Sequence, residues 1–182
     1  MATVKHTIVA LVEDKPGVLN RMASLFRRRG FNIESIAVGH SEVPHLSRMT
    51  IVIDGATTMV EQVRKQLDKV IDVVKVFDIT EDDMVARELA LIKVKATSAT
   101  RSEIMQIVDI FRANIVNVAS DSVIIEVTGD EEKINSLFNL LRSFSIKEIA
   151  KTGRIAMTRE GRGALRVEEK LSKARDKRQK GV

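Results

Sequence analysis

Residues 4–12, VKHTIVALV, alternate with a β-branched bias and read as a strand. From Gly17 the period lengthens to that of a helix: Val18, Met22, Leu25 and Phe26 fall on one face, and the arginines up to Arg29 gather at or near the C-terminal end, where a helix favours cations. Gly30 then ends the helix as a C-terminal cap. NIESIAVGHS (32–41) and HLSRMTIVID (45–54) predict two further strands, joined by a polar turn containing Pro44. A second helix follows, with Val60, Val63, Leu67 and Val70 inward, and VVKVFDIT (73–80) closes a βαββαβ order.

The same order repeats from about residue 88. ELALIKVKA (88–96) predicts a strand, and Ile104, Ile107, Val108 and Phe111 mark a helix. NIVNVAS (114–120) and SVIIEVTG (122–129) form a hairpin around Asp121, and Ile134, Leu137, Phe138 and Leu141 mark the next helix. IKEIAKTGRIAMTR (146–159) supplies the last strand, with Gly153 a candidate break. The fold class is α+β: two ferredoxin-like βαββαβ sandwiches, each a four-stranded antiparallel sheet with two helices on one face. The expected division is 1–80, 81–160 and a basic tail at 161–182. Both alternating registers of HTIVALV and SRMTIVI are largely apolar, so the helix-free face needs a cover, from packing between the halves or, the favoured reading, from dimerisation.

With 182 residues, 44% of them hydrophobic, the chain is long enough to bury a core. No apolar run approaches the roughly 18–20 residues of a membrane span, and Glu13-Asp14 interrupt the first apolar stretch, so neither a membrane role nor a signal peptide is expected. Zero cysteines exclude disulfides, thiolate metal sites and Cys nucleophiles, and a cytoplasmic location fits. The sequence pI of 9.6 raises nucleic-acid binding as a question. From Met1 to Thr158 there are 21 Lys/Arg and 21 Asp/Glu, so the whole net charge of +5 lies in 159–182. A tail, not a basic groove, carries it. Within it, Leu165 and Leu171 at helical spacing suggest a short docking helix or a solvated one.

Enzyme chemistry is not visible. His6, His40 and His45 lack metal-ligand spacing, and the Gly-rich phosphate and nucleophile motifs are absent, so no catalytic residue and no metal ligand is expected. Glu81-Asp82-Asp83 and Glu131-Glu132 sit where a linker and a helix start belong. An RNA-binding sheet needs exposed aromatics to stack bases, and this chain has no Trp, no Tyr and six Phe, of which Phe26, Phe111 and Phe138 lie on apolar helix faces.

The stretch VEDKPGVLNRMASLFRRRGFNIESI (12–36) asks for more than a core element does. A free amino acid needs donors for its carboxylate and an oxygen acceptor for its ammonium, close together. Backbone N–H groups at a helix N-terminus supply the first. Pro16 starts a helix without wasting a donor, Gly17 lets a ligand approach the backbone, and Asp14 is the acceptor. Asp and Pro also occur at such positions for capping alone, and the residues by themselves leave both readings open.

The same stretch, with LSRMTIVIDG after it, resembles the ACT domain of the small regulatory subunit of acetolactate synthase. The resemblance rests on an acid or amide three residues before Gly, on L-x-R, on R-G-F-N-I-E-S and on L-S-R-M-T. It continues through ELALIKVKA, DIFRANIVNV and KTGRIAMTREG, so it covers nearly the whole chain. It implies an N-terminal ACT domain in a homodimer whose paired ACT domains form an eight-stranded sheet, with valine bound at the interface. Asp14, Gly17 and Val18 would come from one chain, and Asn32 and Ile33 from the other. Several relatives carry Asn where this chain has Asp14, a change that keeps the acceptor and strengthens attraction to the ammonium. The resemblance further implies a non-catalytic subunit that activates a large catalytic subunit and confers feedback inhibition by valine in branched-chain amino acid biosynthesis. Thiamine diphosphate, Mg and FAD would reside on that catalytic subunit, with no cofactor on this chain. The competing reading, an amino-acid-responsive regulator of DNA or RNA, requires a helix-turn-helix or a basic, aromatic-lined face, and neither is visible.

Overall fold

Both changes of period become elements in the computed structural model, which describes residues 4–55 and 57–159. The first half runs β1 (Val4–Glu13), α1 (Val18–Arg29), β2 (Ile33–His40), β3 (Leu46–Gly55), α2 (Thr57–Leu67) and β4 (Val73–Asp78). The second runs β5 (Met84–Lys95), α3 (Arg101–Ile110), β6 (Asn114–Val118), β7 (Ser122–Gly129), α4 (Glu131–Leu141), β8 (Ile146–Lys151) and β9 (Ile155–Thr158). The sheets have strand orders β2-β3-β1-β4 and β6-β7-β5-β8, with antiparallel pairings throughout, and β9 pairs with β5. This is the expected α+β fold of two βαββαβ sandwiches.

Alternation along the strands sets the cores. In the first unit Ile8, Ala10 and Val12 of β1 and Met49, Ile51 and Ile53 of β3 face Val18, Met22 and Phe26 of α1 and Val60, Val63 and Leu67 of α2. Gly30 ends α1 in the left-handed conformation, its N–H reaching the carbonyls of Arg27 and Phe26. In the second unit Ala90, Ile92, Val94, Val123, Ile125 and Val127 face Ile104, Val108, Ile134, Leu137 and Leu141. Each fully buried side chain of this size contributes on the order of 1.5–3 kcal/mol through surface removed from water.

Three details differ from the sequence expectation, while the candidate break at Gly153 is realised. Helix α2 stops at Leu67, so Val70 lies in the following turn, its N–H bonded to the Leu67 carbonyl, although it still packs on the core. The last strand divides around Gly153 into β8 and β9. There the Arg154 guanidinium, 13% exposed, meets Glu131 at 2.6 Å and Glu88 at 3.5 Å. β5 starts at Met84, and the Arg159 N–H bonds the Asp83 carbonyl at 2.9 Å. The helix-free face of the first sheet is closed within the single chain: Val9 is 1% and Val52 2% exposed. Part of its cover is a returning segment, because the Arg48 guanidinium, on the same sheet, donates to the Ala156 carbonyl at 3.0 Å. A dimer is not required to bury that face.

The chain forms two compact units, one of residues up to Val85 joined by 156–159, the other Ala86–Ile155. The basic tail at 161–182, with its docking helix near Leu165 and Leu171, lies outside the described residues.

Ile51 is fully buried at the centre of the first core. Ile51→Ala is expected to cost about 2–5 kcal/mol, read as a lower urea midpoint in a circular-dichroism titration.

Candidate functional site

The loop from Asp14 to Gly17 joins the end of β1 to α1, and its backbone leaves the helix start open. Gly17 stands at the N-cap with φ 88°, ψ −12°, no side chain caps the helix, and its first turn holds no acid. The first N–H groups of α1 therefore lack the side-chain acceptor that normally satisfies them. Helix α4 shows what sealing looks like. In α4 the Asp130 carboxylate accepts from the Lys133 N–H at 2.8 Å, and Glu131 and Glu132 occupy the first turn. Before α3, the loop equivalent to 14–17 is closed on itself, Thr97 N–H donating to Thr100 Oγ1 at 3.0 Å and Thr100 N–H to Thr97 Oγ1 at 3.3 Å. Helix α3 likewise has no side-chain cap, but Glu103 lies in its first turn, whereas the first turn of α1 holds no acid.

A Cβ on Gly17 would meet no atom within 4 Å, so packing inside the chain does not demand glycine there. The positive φ does, since an L side chain is strained in that conformation. Val18, 4% exposed, directs its side chain into the core and offers the loop mouth only its backbone N–H. Asp14 is exposed; its N–H donates to the His45 carbonyl at 2.9 Å, and its Oδ2 lies 3.2 Å from His40 Nδ1. His45 has φ 65° behind Pro44, with the Leu46 N–H bonded to the Val43 carbonyl at 3.2 Å, a tight turn that holds a non-glycine residue left-handed and aims its carbonyl at Asp14.

A residue with no sequence signal anchors the loop. Asp72, in the turn between α2 and β4, has none of its side chain exposed. Its Oδ1 lies 2.7 Å from Lys15 Nζ, its Oδ2 bonds Arg21 of α1, and its carbonyl accepts the Glu13 N–H at 2.8 Å. Lys15 Nζ also meets Glu13 Oε2 at 2.6 Å. The Lys15 ammonium against the carboxylate, reinforced by Arg21, outweighs burial and holds the Asp72 carboxyl below the usual range. The Lys15 ammonium is pushed up, first by Asp72 and then by Glu13.

One chain brings Asp14, Gly17 and Val18 together but not Asn32 and Ile33. Ile33 pairs with Ile53, which pairs with His6, whereas Glu13 pairs with Leu46 at the other end of β1. The two groups are separated by about 23 Å, seven residues at the usual strand rise. Asn32 is exposed and Ile33 partly buried on the core. A cavity of about 260 Å³ elsewhere in the first unit is lined by Arg48, Arg64, Phe77, Ile79 and Thr158 among others, and by none of these five residues. Among the described residues no His/Cys/Asp/Glu group could hold a metal, and no helix is long and apolar enough to cross a membrane.

Two similar βαββαβ sandwiches, the first with an uncapped helix start, make up the described chain, and residues 8–75 match the family model described as an AHAS small subunit-like ACT domain. Residues 87–160 match the model for the small subunit of acetolactate synthase. A probable acetolactate synthase small subunit of Archaeoglobus fulgidus is 58% identical over 156 residues, covering 86% of this chain and 98% of its own. The acetolactate synthase small subunit of Mycobacterium bovis is 48% identical over 163 residues, covering 90% and 97%. The crystal structure of the Thermotoga maritima acetolactate synthase small subunit superposes with a TM-score of 0.79 at 45% identity, over 87% of this chain and 99% of that one. The chain belongs to the acetolactate synthase small subunit family, and its first unit is an ACT regulatory domain.

Gly17→Ala is expected to destabilise the fold by about 1 kcal/mol, through strain at positive φ, in thermal or urea unfolding. Because the folded-state pKa of Asp72 lies below the unfolded value, its stabilisation is complete above the ordinary carboxylate range and is lost as pH falls through the folded value. Asp72→Asn should therefore cost about 1–3 kcal/mol at neutral pH and flatten the acid limb of the stability curve, both measured by urea unfolding across pH.

Proposed function

We propose that this chain is the non-catalytic subunit that activates a thiamine-diphosphate-dependent catalytic subunit of acetolactate synthase and transmits feedback inhibition by valine. The observation that carries the ligand part is the uncapped start of α1 at Gly17, with unpaired N–H donors for an α-carboxylate and the Asp14 carboxylate nearby for an α-ammonium. Both charges of the zwitterion then have partners, and uncharged or singly charged ligands do not use the pair.

Sheet topology supports a site completed by a second copy. β2 is an edge strand, and antiparallel pairing of two β2 edges makes an eight-stranded sheet. Such pairing reverses strand direction, so the Asn32 end of one β2 meets the His40 end of its partner. Because His40 lies beside Asp14 in its own chain, Asn32 and Ile33 of one protomer arrive at the partner's loop. This resolves the separation seen within one chain. Valine bound there stabilises the dimer by mass action, and linkage requires the active assembly to weaken valine binding by the factor with which valine weakens the assembly, typically about 5–150-fold. Thiamine diphosphate, Mg and FAD belong to the catalytic subunit in this reading. The second unit is the candidate contact for that subunit.

Isothermal titration of the dimer with valine, leucine, isoleucine, serine and phenylalanine tests the site, with Gly17→Asp as control. Heat with valine that Gly17→Asp abolishes is the expected result, together with a mixed holoenzyme that stays active but loses valine sensitivity. No heat with any branched-chain amino acid, from folded and dimeric protein, refutes the sensor role.

A further inference from the structure

We propose that Asp72 is a positioning residue for the amino-acid site, acting through Lys15 on the loop that carries Asp14 and the open start of α1. This inference rests on the effector reading of that loop. Asp72 belongs to the turn before β4 and lies outside the expected ligand set. It binds the residues on both sides of Asp14: its carbonyl takes the Glu13 N–H at 2.8 Å, and its Oδ1 takes Lys15 Nζ at 2.7 Å. Through Oδ2 it also holds Arg21, one turn into α1, whose own N–H bonds the Gly17 carbonyl at 3.0 Å. On the other side, the Asp14 N–H is tied to the His45 carbonyl at 2.9 Å. The loop is thus pinned from two turns, and its backbone reaches a left-handed Gly17 without a side-chain cap to hold it there.

Charge separates positioning from simple electrostatics. Asp72 and Glu13 together balance Lys15 and Arg21, so the cluster adds no net charge beside the helix start. Neutralising Asp72 leaves an excess cation there, which by attraction alone would tighten the hold on a ligand carboxylate. Loss of the anchor has the opposite sign: the loop must be ordered by the ligand, and each residue ordered costs binding free energy. The direction of the affinity change therefore distinguishes the two roles.

The test is titration of valine into the full-length dimer carrying Asp72→Asn, Lys15→Met, both together, or Lys15→Arg. Lys15→Met keeps the Asp72–Arg21 pair and so preserves a folded protein if Asp72→Asn does not. Each of the first two is expected to weaken valine about tenfold. The double variant should be no worse than the weaker single, because both cut one link. Lys15→Arg should stay within about twofold of the parent, since it restores the charge-assisted bond. Affinity unchanged or raised in the single variants, or losses that add, overturns the proposal. If the parent protein itself binds no valine, the effector reading fails separately, and amide hydrogen exchange at Lys15, Gly17 and Val18 decides the anchoring. Faster exchange in Lys15→Met than in the parent upholds it, and equal rates overturn it.

Discussion

A carboxylate shut away from water has to be neutralised where it stands, and the groups that neutralise Asp72 come from the loop and helix that open the ACT domain. Lys15 and Arg21 are themselves partly exposed, so either can be removed while the other still pairs with the carboxylate. The end of β1, the loop, the first turns of α1 and the turn before β4 are tied together through one residue. That tie matters because α1 forgoes the cap that ordinarily contributes about 1 kcal/mol to a helix. The bond from Arg21 to Asp72 secures the same end of the helix without occupying its N–H groups.

The two halves of the chain are a comparison within one molecule. Strand orders match and the cores are built alike, yet the first loops have opposite chemistry: threonines that bond one another before α3, and glycine with open donors before α1. The difference cannot be a demand of the fold, because the fold is satisfied in both ways.

Much of this was legible in the sequence because it depends on local period. Helical spacing of Val18, Met22, Leu25 and Phe26, the terminating Gly30 and the alternation in β3 and β7 each rest on neighbours a few residues apart, and each became the expected element. Asp72 was invisible for the converse reason. Between Ile71 and Val73 it looks like the polar start of a strand, and its partner Arg21 stands 51 residues away. The pairing of His40 with Asp14 is equally a product of register. Asp14, Gly17 and Val18 form a contiguous motif in the sequence, while Asn32 and Ile33, expected from the other chain, lie at the opposite end of β1 within one chain, a distance set by strand register. The closed face of the first sheet was misjudged because its cover includes a strand from the far end of the described chain, a contact that no local pattern encodes.

That returning segment gives the ACT domain an unusual dependence on the order of synthesis. Residues up to Val85 precede the second unit in the chain and hold nearly all of the ACT domain's core, but Arg48 waits for the carbonyl of Ala156, which is made only after the entire second unit. Without residues 156–159 part of one sheet face would lack its cover, so the domain is whole only once the second unit has been made as well.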